Sequence, residues 1–122
     1  MLNHITIQAR LVRDPELRRL PSGKSVASVS IACDRDFTKE GGEKETDFID
    51  IVAFGKTGDH LATYFTKGKM IIVAGRLQIR KWTDKNGNNR ETAEIVAENV
   101  YFGQAKKETF TELPNNDGDL PF

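Results

Sequence analysis

From Met70 to Trp82 the chain carries a strand pattern too long to lie flat, and Gly75 in its middle predicts a bend or a bulge. Beyond that glycine, a period of two puts Arg76, Gln78, Arg80 and Trp82 on one face, with Leu77 and Ile79 on the other. The apolar face is expected to join a core. The opposite face sets two guanidiniums beside the chain's one indole. Such a face suits a polyanion with flat rings, and it equally suits a half-exposed Trp covering a sheet edge. The Asn86-Gly87 pair that follows is a hairpin signal.

The other elements read from the same periodicities. Leu2 to Val12 alternates, with Ile5, Ile7, Ala9 and Leu11 on the apolar side, until Asp14-Pro15 interrupts it. Glu16 to Leu20 reads as a short extension, and Pro21-Ser22-Gly23-Lys24 as a turn. Val26 to Arg35 is a second strand with Val29, Ile31 and Cys33 on one face, and Thr46 to Phe54 a third. The third strand is apolar on both sides: Phe48, Val52 and Phe54 share a face with Asp50, while Ile49, Ile51 and Ala53 share the other. That suits a central strand, or one with a face reserved for a ligand or partner. Leu61, Tyr64 and Phe65 recur at helical spacing between Lys56 and Thr66, with Gly68 at the stop. Arg90 to Tyr101 closes the set, with Ala93, Ile95, Ala97 and Tyr101 expected on one face. Five strands with a helix between the third and fourth is the element order of an all-β OB-fold barrel.

Charge sharpens this. All 18 Lys and Arg lie in residues 1–107 with 14 of the 18 acids, so the body carries about +4 and the tail −4. From Gly103 the strand pattern fails, and the polar, acidic C-terminus reads as disordered. One cysteine and two histidines leave no disulfide framework and no zinc-ligand set, and no metal or other cofactor is expected. Cys33 reads as a small buried hydrophobe, and His60 as a polar-face or capping side chain of the helix. No apolar run approaches a membrane span and the polar start is no signal peptide, so a cytoplasmic protein is expected.

Arg-Asp-Pro-Glu-Leu-Arg at 13–18, Asp47 to Lys56 ending Phe-Gly-Lys, Arg80-Lys81-Trp82-Thr83-Asp84 and an acidic end closing in Leu-Pro-Phe stand in this order on this strand pattern. In these features the chain resembles the bacterial-type single-stranded DNA-binding proteins, a family also carried by phages. The resemblance implies base stacking on Phe37, Phe48, Phe54 and Trp82, and phosphate contacts from Arg80, Lys81, Lys56 and Arg18. Arg35, Arg76 and Arg13 join these on charge and place alone. It also implies a homotetramer around which DNA wraps, with no chemistry performed.

Two residues depart from the family pattern: Phe stands at 37 and 48, where some members use Trp, and Asp50 sits where an acid repels phosphate. The terminal Asp119-Leu120-Pro121-Phe122, with Asp117 before it, resembles the family's tip that docks onto replication, recombination and repair proteins. The expected organisation is thus a DNA-binding barrel over 1–104, a linker over 105–116 and a tip over 117–122. The linker is short for the family, and the tip can reach back over a basic groove. Two alternatives carry their own signatures. A primosome-type or RNA-binding accessory module shares the fold, and a small metal-dependent nuclease would draw on Asp34, Asp36, Glu40, Glu43, Glu45 and Asp47.

Overall fold

The computed structural model describes residues 1–36, 41–42 and 44–103. Phe37 and the residues assigned above to the linker and tip, Asp117, Asp119, Leu120, Pro121 and Phe122 included, lie outside the described residues. The element order is β1 (Ile5–Leu11), β2 (Glu16–Arg19), β3 (Ser25–Asp34), β4 (Thr46–Phe54), α1 (Gly55–Tyr64), β5 (Met70–Thr83) and β6 (Asn89–Phe102). The short extension at Glu16 forms a strand of its own, pairing with β3 at the sheet's edge. The five long strands keep the expected order, with α1 between the third and fourth of them.

The sheet closes on itself. Its order is β1-β5-β6-β4-β3-β2, and β1 also pairs with β3 through Arg10↔Ala32 and Leu11↔Ile31. The ring of five long strands is therefore a barrel, antiparallel except where β4 and β6 run parallel. That parallel pair is the consequence of the α1 crossover. Inside sit alternating residues read from the sequence, Leu11, Val29, Ile31, Ile51 and Ile95, together with Ile71 and Val73 of β5, each almost fully buried. Leu61 of α1 and Phe65, the residue that follows its last turn, are fully buried in the same cluster. Tyr64 does not follow them inward and stays half exposed. Among the described residues no helix is long and apolar enough to cross a membrane.

Gly75 is where the fold departs from simple alternation. Across β5 and β6 the pairing steps from Ala74↔Asn99 to Gly75↔Ala97, leaving Glu98 as an extra residue on β6. A Cβ at Gly75 would stand 2.1 Å from the Val96 carbonyl oxygen, so only glycine permits this approach. The extra residue inverts the parity of the rest of β6. Val100, not Tyr101, continues the inward face of Ile95 and Ala97, and Tyr101 is 53% exposed. Beyond the bulge β5 parts from β1 and runs out with β6 as an arm, β6 staying paired with β4 as far as Glu94. Leu77 and Ile79 are consequently 43% and 49% exposed rather than in the core, because among the described residues no other layer covers them. Ala93, opposite Ile79, is exposed for the same reason.

Candidate nucleic-acid interface

The outer face of β4 carries Phe48 and Phe54, 69% and 39% exposed, because the alternation that buries Ile51 and Ala53 turns these rings out. Such exposure of large rings is costly unless a partner covers them. Phe54 stands at the start of α1, with the Lys24 ammonium 5.9 Å from its ring centroid and Lys56 exposed two residues on. Beside it runs a groove of about 540 Å³. One wall comes from the β1–β2 segment through Arg13 and Arg18, and the other from the arm through Gln78 and Arg80. Phe54 and Asp50 line it from β4. Three elements distant in sequence thus bring three guanidiniums around one exposed ring.

A polar row crosses this face. Strand pairing aligns Ser30 with Asp50, Asp50 with Glu94, and Glu94 with Gln78. Glu94 is only 8% exposed, and both its oxygens are engaged: Gln78 Nε2 donates at 3.2 Å and Arg80 Nε at 3.3 Å. This buried carboxylate holds the Arg80 guanidinium at the groove. Sequence reading missed Glu94, although counting outward from the turn, where Thr83 pairs with Asn89, places it opposite Gln78. Asp50 accepts from Ser30 Oγ at 2.6 Å.

On the arm, Trp82 is 42% exposed and its Nε1 donates to Thr92 Oγ1 at 2.9 Å, which fixes the ring plane. Trp82, Lys81 and Arg90 line a second hollow there, of about 530 Å³. Arg76 is exposed and donates to Gln78 Oε1 at 3.3 Å. The turn at the arm's tip is organised by Asp84, whose Oδ1 accepts from Asn86 and Asn88 backbone N–H groups at 2.9 Å each. Arg90 Nε donates to its Oδ2 at 2.9 Å, and Gly87 takes the left-handed φ of +83° that closes the loop. The Asn88 backbone N–H, and after it the Arg90 guanidinium, hold the Asp84 carboxyl below its ordinary range.

Arg35 is arranged differently. Its Nε and Nη2 donate to the two Asp47 oxygens at 3.1 and 3.0 Å, and Nη1 to Glu45 at 2.6 Å. Asp47 above all raises the Arg35 pKa further, and Arg35 lowers that of Asp47. Asp34 accepts from Thr46 Oγ1 and Arg10, in that order the causes of its lowered pKa, with Lys44 3.7 Å away. These pairs lace the base of the segment between β3 and β4. Of the carboxylates considered for a nuclease, Asp34, Glu45 and Asp47 are therefore tied to cations. Among the described residues no three His, Cys, Asp or Glu side chains gather as a metal site. His60 packs between rings, 5.0 Å from Tyr64 and 5.9 Å from Phe65 between centroids.

Of the residues singled out from sequence, Arg18, Arg80 and Phe54 thus line one groove with Arg13, while Phe48 lies along the same strand. Trp82, Lys81 and Arg76 belong to the adjoining arm. Arg35 lies apart, already neutralised.

Comparison with known proteins points the same way. The model of the Single-strand binding protein family matches residues 2–103. A protein of Clostridium acetobutylicum named single-stranded DNA-binding protein 3 is 39% identical, over 99% of this chain and all of its own length. A single-stranded DNA-binding protein of Staphylococcus aureus is 41% identical, over 92% of this chain and 72% of its own length. Single-stranded DNA-binding protein 2 of Listeria monocytogenes is 37% identical, over 96% of this chain and 73% of its own.

Proposed function

The chain belongs to the single-strand binding protein family, and from that premise we propose that it coats single-stranded DNA in replication, recombination and repair. The observation that carries this reading is Phe54 exposed in a groove with Arg13, Arg18 and Arg80. A duplex hides the faces of its bases; a single strand offers them. Rings that take base faces beside guanidiniums that take phosphates bind such a strand whatever its sequence. Phe48, Phe54 and Trp82 are the described platforms, and Phe37 is assigned as a fourth. Arg18, Arg80, Lys81, Lys56 and Arg76 supply charge, and Arg35 does so only by giving up Asp47 and Glu45. No bond is made or broken in this mechanism. Its site of action is the cytoplasm.

The working unit in this reading is a homotetramer. Over Ile5–Ala9, β1 is paired with β5 on one side and, among the described residues, with nothing on the other. Such an edge invites a second copy, and the exposed Leu77 and Ile79 give the arm an apolar face to bury. Residues 1–104 form the DNA-binding unit and 105–116 a linker. The tip, Asp117, Asp119, Leu120, Pro121 and Phe122, recruits partner proteins of replication and repair, its carboxylates and apolar side chains suiting a basic-rimmed pocket. The test is a titration of Trp82 fluorescence with oligo-dT, alongside mass measurement of the free and loaded protein. Quenching, with a tetramer mass that rises by whole oligomers, is expected. Unquenched fluorescence together with an unshifted mass refutes the reading.

A further inference from the structure

Asp50 is the one residue on the stacking face that phosphate neutralisation does not explain. It lies on the outer side of β4, two residues from Phe48 and four from Phe54, and it lines the groove with Arg13, Arg18 and Arg80. The Ser30 hydroxyl binds Oδ1 at 2.6 Å and so fixes the orientation of the carboxylate. Among the described residues no other hydrogen bond or ion pair engages it. Glu94, the neighbouring acid of the row, has both oxygens occupied. Asp50 therefore keeps Oδ2 for a ligand, on a surface the ligand must cross to reach both rings.

A carboxylate there repels phosphate and can only accept hydrogen bonds. A strand stacked on Phe48 and Phe54 is driven to turn its backbone toward the arginines and its base edges toward Asp50. Those edges differ. Cytosine and adenine present exocyclic amino groups, and guanine an amino group beside a ring N–H, all of which donate to a carboxylate. Thymine has a single ring N–H between two carbonyl oxygens, whose lone pairs oppose the carboxylate's own charge.

We propose that Asp50 shifts the base preference of this protein toward amino-bearing bases, with cytosine the test case, and away from thymine. The inference rests on the single-stranded DNA reading above and refines it: stacking still admits every base, and Asp50 ranks them.

Affinities of wild type, Asp50→Ala and Asp50→Asn for oligo-dC and oligo-dT of equal length, at neutral pH and one salt concentration, test it. Removing the charge raises affinity for oligo-dT more than for oligo-dC, because oligo-dC also loses its acceptor. The ratio Kd(dT)/Kd(dC) is expected to fall by about fivefold in the alanine variant, the lower end for one direct base contact. It falls in the same direction in the asparagine variant, whose amide can also donate to thymine O4. Asp50→Asn retains an acceptor for Ser30, so it answers the question even if the alanine variant folds poorly. Both affinities rising by one common factor, with the ratio moved less than twofold in both variants, overturns the proposal and leaves Asp50 a repelling charge. Failure of the wild type to bind either oligomer overturns the single-stranded DNA reading itself, and this one with it.

Discussion

Gly75→Ala tests whether the bulge that aims the arm is as tightly packed as the structure has it. The added Cβ would lie 2.1 Å from the Val96 carbonyl oxygen and 3.0 Å from both Ala97 Cα and Val96 C. A carbon and a carbonyl oxygen approach to about 3.3 Å at best, so β5 and β6 must part by about 1 Å. All the clashing atoms are backbone, and none can swing aside. Overpacking of this kind costs about 1–3 kcal/mol, and each ladder hydrogen bond stretched beyond use costs about 1 kcal/mol more. A loss of about 3 kcal/mol is expected, a large share of the roughly 5–15 kcal/mol that holds a domain together. Gly87→Ala is the control. There φ is +83° but nothing lies within 4 Å, so only the left-handed backbone is penalised, at about 1–2 kcal/mol. Urea denaturation of both variants at one protein concentration reads the difference. A Gly75→Ala protein within about 0.5 kcal/mol of wild type, or no less stable than Gly87→Ala, refutes the reasoning.

Arg18→Ala and Arg80→Ala should each lower the slope of log affinity against log salt for oligo-dT by about 0.7, whereas Arg35→Ala, already paired, should leave it unchanged; equal slopes for all three contradict the charge assignment. Phe54→Ala should weaken oligo-dT binding by about 1–3 kcal/mol without altering that slope, and an unchanged affinity removes Phe54 from the path of the strand. Stability should depend on acid in a defined direction. Asp34, Asp47 and Asp84 have folded pKa values below the ordinary 3.8. Their contribution is complete above that value and is lost as pH falls through the folded ones. The melting temperature should therefore drop on the acid side, and Asp84→Asn should flatten part of that drop; identical acid limbs count against the role given to the turn. Deleting residues 115–122 should raise low-salt affinity for oligo-dT if the acidic tip competes for the groove, and an unchanged value excludes the competition.

Strand identity, the helix and the shared face of the β4 rings were determined by sequence, because period two is local: a residue's face follows from its neighbours two positions away. The same locality let Trp82 and Arg80 be assigned to one face. What the periodicity of a single strand could not determine is anything that depends on a partner strand. The bulge at Gly75 was anticipated, but its extra residue falls on β6, so Tyr101 and Val100 exchanged sides through a register set elsewhere. Leu77 and Ile79 carry a core pattern and stay exposed because a pattern specifies which side is apolar, not what lies over it. Arg35 and Arg80 are the same residue type on comparable strands. Tertiary placement alone separated them, setting Asp47 and Glu45 against one and burying Glu94 behind the other so that it faces the groove. Asp50 stood out in sequence as an acid in the wrong place, and the fold supplied Ser30 beside it, the contact that turns a misplaced charge into an oriented acceptor.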